Sequence, residues 1–149
     1  MLDFAFRIRI IVDRPPPNAH FALQLGKADL APPLARDADS ITFEVVVRAV
    51  HNRAGALDFR GPAVQGPVGS RFVYINSGSY AGDATNSWNR RAKVSLQGIT
   101  TAHVDALMVR PALRMEGQIH GTARDGGPVA ASTPLLGAGW RLVDAGASL

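Results

Sequence analysis

Between Gly61 and Val94 the chain gathers the residue types that recognise anions and flat groups: Arg71, Tyr74, Tyr80, Trp88, Arg90, Arg91 and Lys93. A guanidinium is a planar fork of donors that matches a carboxylate or phosphate bidentately. An indole or phenol ring stacks on a flat ligand or on the guanidinium itself. Trp88-Asn89-Arg90-Arg91-Ala92-Lys93 sets an indole beside consecutive cations, and Arg71 opens the aromatic run Phe72-Val73-Tyr74. Gly61, Pro62, Gly66, Pro67, Gly69, Gly78 and Gly82 punctuate the segment, so these side chains are expected on turns held by strands, where recognition surfaces form. A competing reading makes Phe72, Tyr74 and Trp88 core anchors and the glycines turn formers, because aromatics supply much of the buried area of a small β domain.

A second set of chemistry-bearing residues lies on the polar phase of the strands: Arg7, Arg9, Glu44, Arg48, Arg114, Glu116 and His120. If that phase faces solvent, these are surface ions; if it lines a barrel, they form a polar cavity able to hold a small ligand or do acid–base work. No catalytic residue is assigned. The four histidines, His20, His51, His103 and His120, stand at least 17 residues apart, and no pair has the spacing of metal ligands on one element. Gly78-Ser79-Tyr80-Ala81-Gly82 places a tyrosine where a nucleophile elbow needs serine. Residues 137–139, Gly-Ala-Gly, lack the third glycine and the helix of a dinucleotide site. The chain has no cysteine, which excludes disulfides, thiolate metal sites and a cysteine nucleophile. No metal and no cofactor is expected.

The elements that must position these groups are mostly strands. Phe4, Phe6, Ile8, Ile10 and Val12 alternate with Ala5, Arg7, Arg9, Ile11 and Asp13, the period of a strand with one buried face. Three prolines from Pro15 end it, since they donate no ladder hydrogen bonds. Phe21, Leu23 and Leu25 mark a second strand ending at Gly26, and residues 27–40 read as a long surface loop. Ile41 to Val50 alternates again, Asn52 to Gly55 has turn chemistry, and residues 57–68 are extended but broken by glycine and proline. Strands follow at 71–76, 91–97 and 113–120, then a turn at 124–128 and a last strand at 139–144. One short helix fits Thr101 to Val109, capped by a threonine, with Val104, Leu107 and Met108 on one side and Pro111 beyond its end.

With 15 glycines and 10 prolines, and only two glutamates and two lysines to cover helix faces, the chain reads as mainly β. Strands without intervening helices favour an antiparallel sandwich, C2-like or jelly-roll-like, or a flattened barrel, over a βαβ fold. The 149 residues fit a single domain, 1–149. The net charge of +4 comes from scattered arginines interleaved with acids, so a nucleic-acid partner is not expected. The first residues do not form a signal peptide, no window approaches a membrane span, and a cytoplasmic location is expected.

Several segments resemble an uncharacterised family of small, soluble bacterial proteins, one of the domain-of-unknown-function families. They are IRIIVDRPPPNAHFALQLG, ITFEVVVR, GPAVQGPVGSRFVYINSGSYAG, WNRRAKVSLQGIT and RDGGP, spanning residues 8 to 128. The resemblance implies a single soluble domain and brings no activity, cofactor or substrate. A basic strand, a proline turn and FALQLG also resemble the start of a C2 sandwich. Calcium would need converging acids, whereas beyond Asp37 and Asp39 the loops offer only Asp58, Asp83 and Asp125 singly. The reading that results is a non-enzymatic binding or protein-interaction module, with homodimerisation through an edge strand among its expected partnerships. The alternative is a small anionic-ligand carrier or enzyme using the polar strand phase.

Overall fold

The computed structural model describes residues 2–15, 19–26, 29–79, 90–120 and 140–144. Strand β1 (Asp3–Asp13) follows its alternation: Phe6, Ile8, Ile10 and Val12 are buried, while Ala5 and Arg7 on the opposite phase are exposed. Strand β5 (Ser40–His51) does the same with Ile41, Phe43, Val47 and Ala49. The two pair antiparallel from Asp3↔Val50 to Asp13↔Ser40, so apolar meets apolar along the whole length.

On the other side of β1 lies β9 (Leu113–His120), parallel to it, and beyond that β10 (Arg141–Asp144), antiparallel to β9. The free side of β5 carries β4 (Ala35–Arg36) near one end and β6 (Leu57–Arg60) near the other. The second sheet has the order β3-β2-β7-β8, with β2 Ala19–Leu25, β3 Asp29–Ala31, β7 Phe72–Ser79 and β8 Arg90–Ser95.

One core joins the sheets: Ile8, Ile10, Phe43 and Met115 from the first, Leu23, Val73, Ile75 and Val94 from the second. The mainly β architecture is thus two sheets, one curled into a half-barrel, with a single short helix among the described residues. That helix, α1, spans Thr101–Val109 as the sequence predicts. Val104 and Leu107 are buried and Met108 is exposed, so the apolar side is narrower than the sequence suggests.

Two expectations change. Residues 27–40 were expected to be loop, yet β3 and β4 form there because their backbones find partners: Leu30 opposite Gln24, and Arg36 opposite Ile41. Pro32 and Pro33, which lack amide donors, separate the two pieces. The sheet is also not wholly antiparallel, since β9 joins β1 in parallel. Parallel pairing demands a long connection, and β1 and β9 are separated by most of the chain. Tyr80, Trp88, Gly139 and the turn at 124–128 lie outside the described residues.

The polar phase of the first sheet faces away from the core. Register places Arg141, Glu116, Arg9 and Glu44 in one row across β10, β9, β1 and β5, alternating in charge. Glu44 accepts from Arg7 at 2.9 Å, from Arg9 at 3.1 Å and from Arg114, while Glu116 accepts from Arg141 at 2.6 Å. Arg48 forks onto Asp3. Six of the seven polar residues therefore lie on the outer phase, tied into ion pairs; the side chain of His120 is outside the described set.

Candidate functional site

Strand alternation divides the arginine- and aromatic-rich segment between different surfaces. Tyr74 lies opposite Lys93 and Asn76 opposite Arg91, so these side chains share the face of β7 and β8 that points away from Val73, Ile75, Ala92 and Val94. There the Arg91 guanidinium sits 4.0 Å from the Tyr74 ring centre, Lys93 Nζ sits 4.3 Å from that of Phe72, and the two rings meet edge to face at 4.7 Å. Phe72 is buried and Tyr74 half-buried on this outer face. Arg90 begins β8 opposite Ser77, and Tyr80 and Trp88 are outside the described residues.

Arg71 goes elsewhere. It ends a turn in which Gly66 and Gly69 have φ of +91° and +87°, and Gln65 and Phe72 exchange backbone hydrogen bonds of 2.8 and 2.9 Å. Its backbone carbonyl accepts from Leu96 N–H, fixing it to the end of β8. Its side chain turns to Asp58 of β6: Nε donates to Oδ1 at 2.9 Å and Nη2 to Oδ2 at 3.2 Å, while Nη1 donates to the Gly66 carbonyl at 2.6 Å. Those bonds use three of the five guanidinium N–H groups and leave one on each terminal nitrogen.

The Asp58 side chain is fully buried. The hydrogen bond from Arg71 holds its carboxyl below the usual carboxylate range against the opposing effect of burial, with help from the Phe59 backbone and the charges of Arg71 and Arg60. The same hydrogen bond raises the Arg71 pKa.

Arg71 and Asp58 line a cleft of about 280 Å³ with Leu57, Phe59, Gly69, Gln97, Ile99, Thr100 and Thr101. One wall is apolar, and another is the start of α1. Thr100 caps that helix: its hydroxyl accepts from His103 N–H at 3.3 Å, and its own N–H donates to His103 Nδ1 at 3.1 Å. No acid stands in the first turn, so the positive end of the helix is not neutralised by its own residues. Gln97 closes the rim through a hydrogen bond to the Gly69 carbonyl.

The arrangement brings guanidinium N–H donors and the positive end of a helix to one cleft, features that complement an anion. Among the described residues no group of three or more His, Cys, Asp or Glu converges as a metal site, and no helix is long and apolar enough to cross a membrane.

Residues 6–143 match the sequence pattern described as a family of unknown function, DUF5990. The chain belongs to this family. Membership agrees with the resemblance carried by the FALQLG, GPAVQGP, RFVYI and WNRRAKV segments, all of which lie inside the matched region. No curated protein and no solved structure matches the chain.

Of the cleft, sequence reasoning named Arg71 alone as a binding residue. It missed Asp58, Gln97, Thr100 and Thr101 as partners. The available signal for Asp58 was an acid flanked by Leu57 and Phe59 in an extended run, a setting that demands a cation.

The turn that delivers Arg71 depends on Gly66. A Cβ there would lie 2.5 Å from Phe72 Cε2 and 2.6 Å from the Ser70 carbonyl oxygen, at a backbone angle unfavourable to side chains. Gly66→Ala is expected to destabilise the fold by about 1–2 kcal/mol, measured as a shift in the urea midpoint.

Proposed function

We propose that the chain is a single-domain, non-enzymatic binding module that takes a small anionic ligand, a carboxylate or phosphate with an apolar body, in the Arg71 cleft. The observation that carries this reading is the Arg71 guanidinium, held rigidly by Asp58 and Gly66 at a cleft with two N–H groups still to satisfy. A preorganised fork loses little freedom on binding, which is where arginine gains over lysine. The start of α1 adds a favourable potential, and Leu57, Phe59 and Ile99 offer an apolar wall. The volume lies near the lower end for small-molecule sites, which favours a compact ligand. The cysteine-free composition suits a reducing, cytoplasmic setting.

Thermal-shift and calorimetric titration with phosphate, sulfate, acetate, benzoate and citrate test the reading. At least one should raise Tm, because a ligand that binds only the native state stabilises it. Thr101→Glu puts a carboxylate at the helix start and should weaken that binding more than about tenfold without lowering Tm, since an acid there favours the helix. Arg71→Gln combined with Asp58→Asn, which removes both charges together, should abolish it. Absence of a shift with every anion, or binding retained in both variants, would overturn the proposal.

A further inference from the structure

Strand β1 is longer on one side than its neighbour. β5 pairs with all of Asp3–Asp13, whereas β9 pairs only with Ile8 to Asp13. Among the described residues, Asp3 to Arg7 therefore have a strand partner on one side alone. Beside them the structure leaves a cleft of about 320 Å³, lined by Phe4, Ala5, Phe6 and Arg7 on β1 and, across from them, by Leu107 of α1, Pro111, Leu113 and Arg114. An edge of this kind presents backbone donors and acceptors to an incoming chain.

The cleft is chemically two-sided. Phe4 and Phe6 belong to the core phase of β1, with rings stacked at 6.1 Å, and Leu107 and Leu113 add to that apolar side. Ala5 and Arg7 belong to the outer phase, where Arg7, Arg9 and Arg114 all share the carboxylate of Glu44. Including the Arg48–Asp3 and Arg141–Glu116 pairs on the same face, five cations meet three anions, so this face keeps an excess of positive charge. Arg7 is 62% exposed and Arg114 is 29% exposed.

We infer that this fork between β1 and β9 docks an extended acidic segment of a protein partner, which adds to the open edge of β1. Side chains alternate along a strand, and neighbours in a sheet share faces. A segment beside residues 3–7 must therefore place apolar side chains next to Phe4 and Phe6 and acidic ones next to Ala5 and Arg7. Main-chain bonds supply attachment, and the alternating apolar and acidic positions supply selectivity. A second copy of this chain fits less well. Antiparallel pairing about Ala5 would set Asp3 against Arg7, but each β1 edge faces its own wall of Leu107, Pro111, Leu113 and Arg114. Two such walls would compete for the space that one extended segment fills. Nucleic acid has no backbone N–H and C=O groups to extend the ladder.

The test uses the full chain and fluorescent hexapeptides of alternating sequence, Val-Asp-Val-Glu-Val-Asp and Val-Lys-Val-Lys-Val-Lys. Anisotropy should show the acidic peptide binding at least about tenfold more tightly than the basic one, with amide shifts confined to residues 3–7, 107 and 112–114. Arg7→Gln, at an exposed position, should weaken the acidic peptide about tenfold while leaving phosphate binding at Arg71 unchanged.

Three results would overturn the inference: no binding of the acidic peptide up to about 1 mM, equal binding of both peptides, or shifts located elsewhere. Concentration-dependent dimerisation that shifts residues 3–7 would assign the edge to a second copy instead. An oligothymidylate displacing the acidic peptide from Arg7 at equal affinity would assign it to nucleic acid.

Discussion

Asp58→Ala is expected to lower the folding free energy by about 3–5 kcal/mol, the cost of removing one partner from a buried ion pair. The carboxylate is fully buried, receives two hydrogen bonds from Arg71, and has Arg60 at 4.0 Å. Its removal leaves the Arg71 guanidinium, only 20% exposed, without a counter-charge, and leaves a void between β6 and the 66–71 turn. Asp58→Asn keeps the shape and loses the charge, so it should cost less.

The two variants also separate structure from binding. In Asp58→Asn an added anion takes the place of the lost counter-charge for Arg71, so phosphate or carboxylate affinity should rise as stability falls. A chemical-denaturation midpoint indistinguishable from wild type in Asp58→Ala would show that the pair does not hold this turn.

Much of the fold was legible because alternation reports which residues face the core. β1, β5 and β9 sit where Phe4 to Val12, Ile41 to Val50 and Leu113 to His120 alternate, and α1 coincides with the capped stretch from Thr101 to Val109. Pairing was not legible. β3 and β4 are so short that backbone bonds to β2 and β5 create them, without a periodic signal of their own. The parallel joining of β9 to β1 likewise depends on where the chain returns, which local residue types do not encode.

The candidate site was legible in part, for the same physical reason. A period of two sends adjacent residues to opposite faces, so Arg71 and the Tyr74, Arg91 and Lys93 group could not share one surface merely by being close in sequence. Arg71 was conspicuous as a cation before an aromatic run. Its environment is built by residues remote in the chain, Asp58 on one side and the Thr100–Thr101 helix start on the other. Only the fold brings them together.

Glu44→Gln is expected to cost about 2–3 kcal/mol, less than Asp58→Ala because solvent screens the outer ions. The side chain is 9% exposed and accepts from Arg7, Arg9 and Arg114, so the substitution leaves three neighbouring guanidiniums to repel one another. Burial pushes the Glu44 carboxyl up, but the hydrogen bonds from Arg7 and Arg9 and the charges of Arg114 and Arg9 outweigh it and hold its pKa below the ordinary value. Asp58 is depressed as well. A depressed carboxyl contributes stability above its unfolded pKa, 4.5 for Glu44 and 3.8 for Asp58, and loses it as pH falls through the folded value.

His20 acts earlier in the same direction. Burial, aided by the charge of Arg36, lowers its pKa from 6.5, so the unfolded chain takes up that proton first. Stability should therefore be level above about pH 7, decline gently below 6.5, and fall steeply below about 4.5. Glu44→Gln should flatten the steep acid limb while sparing the decline that begins near 6.5, and His20→Gln should do the reverse. Guanidinium denaturation between pH 3 and 8 reads both limbs. An acid limb unchanged in Glu44→Gln would mean that the arginine cluster does not depend on this carboxylate for its stability.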